Sequence, residues 1–160
     1  MDVDPRAAGG HPAADDRWLT SALGAALVAV AVLTLLPEGH GWAWGSPLAE
    51  LRWYATGLTD EPTLLQLTGN LGLLAAPAAL AVLRCPALGR PARLAAVGLA
   101  TGALIETLQW MLPLGRVVSP VDALLNAAGA VIAGLLTTRL RPRRVPARPG
   151  TAARAVGTTA

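Results

Sequence analysis

The sequence predicts an all-α, polytopic membrane protein, a bundle of four transmembrane helices with both termini on the inner side (N-in/C-in). Three observations carry that prediction. Hydrophobic residues make up 53% of the 160 residues and charged residues only 14%, too few charges to cover the surface of a soluble domain. The mean hydropathy is +0.48, and four apolar runs each come close to the roughly 20 residues a helix needs to cross a bilayer. The arginines gather on one side of those runs. No period-two alternation of the kind a β-barrel requires is visible.

Residues 1–17 form a polar head that reads as a disordered inner tail. It carries Asp2, Asp4, Asp15 and Asp16, the wrong charge for the basic start of a secretory leader, so the first apolar run reads as an uncleaved helix. That run is Trp18 to Leu36, closed by Pro37. It contains no polar partner for the other spans and reads as an anchor and packing wall.

The outer segment, residues 37–63, holds Trp42, Trp44, Trp53 and Tyr54. Rings in such a segment are most simply a belt at headgroup level, with ligand binding the less favoured reading. Pro47 to Leu58 has a weak apolar periodicity, enough for a short interfacial helix.

The second span is Leu64 to Leu83 and contains Pro77. A proline has no N–H to donate, so it should kink the helix and free a carbonyl about four residues upstream. Pro86 and Pro91 bracket the next turn. Cys85 is the only cysteine, which excludes an internal disulfide and a multi-cysteine metal site. It reads as an inert thiol. The third span is Leu94 to Leu112, the fourth Val121 to Leu140, and Pro113 and Pro120 bracket the turn between them. The four spans and their connections make one membrane domain over residues 18–140. Residues 141–160, rich in proline and arginine, read as a second disordered inner tail.

Orientation follows from the arginines. The chain has no lysine, and 11 of its 13 arginines fall in segments on one side, leaving Arg52 and Arg116 on the other. The positive-inside rule places the crowded side, and both termini, in the cytoplasm. A basic tail next to a membrane meets anionic lipid rather than nucleic acid. His11 and His40 lie in separate polar segments, so no metal site is expected, nor any cofactor.

The polar residues inside the spans are the informative ones. Gly98, Gly102, Glu106 and Gln109 are spaced i, i+4, i+8 and i+11, which is one helix face. The two glycines let another backbone approach. Glu106 lies roughly 9 Å deep at the helical rise, where a carboxylate costs at least ~2.5 kcal/mol unless it faces a partner or water. Asp122, Asn126, Gly129 and Ala133 repeat the arrangement on the fourth span. Asp122 falls in the first turn, where it suits the role of an N-cap. Gln66, Asn70 and Pro77 give the second span a stripe of its own. All of these groups fall in the outer half of the bilayer, beneath the turn bearing Arg116, which can reach back to Asp122 or Glu106. Asn70, Gln109 and Asn126 could be interhelical glue. Glu106 admits two readings, an ion pair with Arg116 or a functional carboxylate, and the cluster as a whole favours a functional site.

Glu106-x-x-Gln109, then Gly115-Arg116, then Asp122-x-x-x-Asn126-x-x-Gly129 resembles the VanZ-like family of small bacterial membrane proteins. Asn70 followed by Pro77 resembles that family's second-span motif, and the likeness runs over roughly residues 30 to 136. Two departures stand out. The family usually has phenylalanine just before the proline, and often a second acid where this chain has Ser119. The resemblance implies a multi-pass protein of the bacterial cytoplasmic membrane and a role of the glycopeptide (teicoplanin) resistance type. The outer polar pocket would then engage a lipid-linked cell-wall precursor or a lipoglycopeptide. An accessory subunit without catalysis is the alternative. An intramembrane enzyme acting on a lipid headgroup is less favoured, because there is no G-x-S-x-G, no H-E-x-x-H and no histidine in any span.

Overall fold

A computed structural model describes residues 12–141. Among the described residues, four helical stretches are long and apolar enough to cross a membrane: Asp16–Leu35, Glu61–Arg84, Pro91–Met111 and Pro120–Leu140. The chain is a multi-pass membrane protein on that ground. The expected tails lie mostly outside the described residues. Helix α1 (Pro12–Leu35) starts earlier than Trp18, so residues 12–17 are helical rather than part of a disordered tail.

The second span is two helices, α3 (Glu61–Leu73) and α4 (Ala75–Arg84), broken at Leu74. The break sits three residues before Pro77. Proline cannot donate to the carbonyl one turn back, so the ladder stops there. Helical bonding resumes where Ala78 N–H donates to the Leu74 carbonyl at 3.0 Å. Leu74 is 3% exposed and packs with Val30, Ile105 and Ala130, so the proline break lies in the apolar core.

A 3₁₀ turn (Pro86–Gly89) leads into α5 (Pro91–Met111), and α6 (Pro120–Leu140) completes the bundle. Helix α6 is the central element, packed by α5, α4 and α3, while α1 lies outside against α4 and α5. Small residues permit this. A side chain on Gly98 would meet the Ala127 Cα at 3.1 Å, and one on Gly102 the Ala123 Cα at 3.1 Å. A side chain on Gly129 would run into the Leu71 carbonyl of α3. Large apolar residues such as Val28, Leu65, Leu104, Ile132 and Leu136 point outward, as a lipid-facing surface requires.

At one end of the bundle the two long connections meet. Strand β1 (Trp42–Trp44) follows α1 and strand β2 (Arg116–Val118) follows α5. They pair in parallel, Trp42 opposite Arg116 and Trp44 opposite Val118. These strands depart from the all-α expectation. Three-residue strands show no alternation, and their partner lies about 70 residues away. Gly41 and Gly115 both have positive φ (77° and 71°), which only glycine adopts freely. Gly115 N–H donates to the Gly41 carbonyl at 2.7 Å. Between β1 and α3 lies the short helix α2 (Pro47–Thr56), with Ser46 at its N-cap position and Pro47 at the first helical residue. This is the sheet end of the molecule.

Candidate functional site

Helix α6 begins at the sheet end on Ser119, noted in the sequence only as standing where the family often has a second acid. Its hydroxyl accepts from the amides of Val121 and Asp122, both at 3.1 Å. Ser119 is therefore the N-cap, and Asp122, expected in that role, is freed for others. The Ser119 hydroxyl also donates to Glu50 Oε2 of α2. The Ser119 amide donates to Glu106 Oε2 of α5 at 2.7 Å. Ser119 is 1% exposed, so these bonds are made away from water.

Asp122 accepts from two side chains. Tyr54 O–H donates to its Oδ1 at 3.2 Å, and Gln66 Nε2 donates to its Oδ2 at 3.1 Å. Tyr54 is buried, unlike its neighbour Trp53, so it does not belong to the aromatic belt. Burial, and then the nearby negative charge of Asp122, push the Tyr54 hydroxyl up from 10.0 to about 12. It stays protonated at physiological pH and remains a donor. Trp42 and Trp110, by contrast, are exposed and meet edge to face at 6.4 Å, in keeping with a headgroup-level belt.

Glu50 was not expected at the site, and Tyr54 was expected only in the aromatic belt. They are four apart on α2, hence on one face of it. An acid and a phenol sharing the inner face of a proline-started helix was the available signal.

Arg116 does not reach Glu106 or Asp122. It forms an ion pair with Glu38 at 2.9 Å and donates to the carbonyls of Leu36 (3.2 Å) and Leu33 (3.0 Å). It thus caps the C-terminal turn of α1, where unpaired carbonyls and the negative end of the helix dipole attract a cation. The ion pair anticipated between Glu106 and Arg116 is not made. Gln109 also turns to α1, donating to the Thr34 carbonyl at 3.0 Å. The first span, expected to be a bare packing wall, supplies three backbone acceptors.

The expected residues nonetheless border one space. A cavity of about 610 Å³ is lined by Glu106, Gln109, Arg116, Asp122, Asn126 and Asn70, together with apolar residues of α1 and α3. Leu33 of α1 and Leu65 of α3 are 63% and 71% exposed, so the cavity opens sideways between those helices. Asn126 is 1% exposed and its Oδ1 has no hydrogen-bond partner; the buried Asn70 Nδ2 has none either. Gly98, Gly102 and Gly129 are buried at helix contacts. Among the described residues, no three His, Cys, Asp or Glu side chains converge to hold a metal ion.

A family model described as VanZ/LLP1 matches residues 23–141. No curated protein and no solved structure gives a match.

Proposed function

The chain belongs to the VanZ-like family, and on that premise we propose that its cavity binds the headgroup of a cell-envelope amphiphile. The occupant is a lipoglycopeptide or a lipid-linked cell-wall precursor, and the outcome is protection of the glycopeptide-resistance type. One observation carries this reading: a cavity of about 610 Å³ with Glu106, Asp122 and Asn126 in its wall opens between two apolar helices. Polar groups at membrane depth are costly unless a partner or a polar occupant meets them, and the buried Asn126 Oδ1 has no partner.

Binding is favoured over catalysis by the state of the Ser119 hydroxyl. It donates once and accepts twice, which uses its full hydrogen-bonding capacity. It is not free to attack a substrate.

The sheet end faces outward in this reading, in the bacterial cytoplasmic membrane, as the arginine distribution favours. Cys85 is exposed at the opposite end and is the only cysteine, so it serves as a native topology probe. A membrane-impermeant maleimide should label it in inverted vesicles and not in intact cells. Labelling of intact cells would reverse the orientation.

Function is tested by teicoplanin susceptibility of a producing strain against its deletion, with Glu106→Gln and Asn126→Leu variants expressed at wild-type levels. Protection lost in the deletion and in both variants supports the cavity. Equal susceptibility of all strains would sink the protective role. The alternative, polar residues acting only as glue, draws on the Gln109 bond to the Thr34 carbonyl. It requires that any loss of protection track loss of folded protein.

A further inference from the structure

Charge decides which headgroup the cavity takes. Glu106 and Asp122 stand in its wall, with Glu50 joined to them through Ser119. The one cation in the lining, Arg116, is drawn to Glu38 and to the end of α1. Glu106 is left with a single donor, the Ser119 amide. Asn126 adds an acceptor, Oδ1, that is buried and unpartnered. A carboxylate held away from water gains most from an opposite charge and is penalised by a like one. A phosphate would enter a site already rich in negative charge and acceptors. A protonated amine would find what it needs, since –NH₃⁺ carries three donors and no acceptor. Trp53 is in the same lining, and an indole ring attracts organic cations.

Resting on the reading that the cavity binds an amphiphile, we infer that its occupant carries a protonated amine. The ammonium donates to Glu106 and to Asn126 Oδ1, and the apolar tail leaves between Leu33 and Leu65 into the lipid. The recognised unit is an amine on a membrane-dissolved chain, and the acidic wall selects it over a lipid whose headgroup is phosphate without an amine.

The full-length protein in nanodiscs tests this, with bound ligand counted by native mass spectrometry. Four probes are titrated: dodecylamine, dodecyl phosphate, dodecanol and ethanolamine. Dodecylamine should bind at one per protein, at least about tenfold more tightly than dodecyl phosphate or dodecanol, the equivalent of ~1.4 kcal/mol. Ethanolamine, which lacks the chain, should not compete. Glu106→Gln should weaken dodecylamine far more than it weakens dodecanol. The comparison among probes on the wild-type protein decides the matter even where the variant fails to fold. Equal or tighter binding of dodecyl phosphate or dodecanol overturns the amine assignment and leaves the cavity as a binding site. Ethanolamine matching dodecylamine overturns the membrane-dissolved source. If no chain-bearing probe binds, both the amine assignment and the cavity reading fall.

Discussion

The backbone amide of Ser119 donates to the Glu106 carboxylate at 2.7 Å, which fastens the start of α6 to the middle of the polar stripe on α5. The same serine caps α6 with its hydroxyl and donates to Glu50 on α2. One small residue, through its amide and its hydroxyl, therefore connects three helices. Ser119→Ala keeps the amide bond to Glu106 but removes the cap and the Glu50 acceptor's partner. Loss of an N-cap hydroxyl costs about 0.5–2 kcal/mol. The variant should unfold earlier in thermal or detergent denaturation, and Ser119→Thr should recover most of the difference. An unchanged midpoint for Ser119→Ala would remove the serine from its connecting role.

Tyr54 offers a spectroscopic view of the same cluster, because it is the only tyrosine in the chain. Burial and the Asp122 charge raise its hydroxyl to about 12. An exposed tyrosine titrates near 10, so unfolding releases protons between those limits. Stability is therefore fully present below pH 10 and declines as pH climbs toward about 12. Absorbance at the tyrosinate band should show one midpoint near 12 in the folded protein. In Asp122→Asn the negative charge is gone and the midpoint should fall toward 10. A wild-type midpoint at 10 would mean that Tyr54 is not buried against Asp122.

Arg116 and Glu106 are close in the chain and were natural partners on sequence grounds, yet the arginine holds α1 instead. A double-mutant cycle separates the two arrangements. Arg116→Ala combined with Glu38→Ala should show a coupling of about 0.2–1 kcal/mol, since Glu38 is largely exposed and surface pairs are weak. Arg116→Ala combined with Glu106→Gln should be additive. Coupling of the second pair and not the first would restore the ion pair and undo the account of the cavity's charge.

What was legible in the sequence follows from periodicity and length. The four spans, the break caused by Pro77 and the glycine faces depend on residues within one helix, and spacing alone places them. The roles of Glu50, Tyr54 and Ser119 depend on how α2 folds back onto the ends of α5 and α6. That path is set by the parallel pairing of Trp42–Trp44 with Arg116–Val118, which no local pattern announces. Arg116 was misplaced for a related reason. The nearest ionisable residues along the chain are the acids Asp122 and Glu106, but its spatial neighbour is the carbonyl end of α1, some 80 residues earlier. Backbone acceptors at a helix terminus leave no mark in a sequence read for charged partners.

The glycines supply a test of the packing that shapes the cavity. On Gly129 a methyl group would collide with the Leu71 carbonyl, and backbone cannot swing aside as a flexible side chain can. Gly129→Ala must push α3 away from α6, at a cost of about 1–3 kcal/mol typical of overpacking. Gly24 on α1 has open space where the methyl would go. There alanine should be neutral or stabilising by about 0.5–1 kcal/mol, because it has less backbone freedom to lose. Displacing α3 also loosens Gln66 from Asp122, so Gly129→Ala should shift the Tyr54 titration while Gly24→Ala should not. Equal melting temperatures for the two variants would show that α3 and α6 are not in the close contact on which the cavity's inner wall depends.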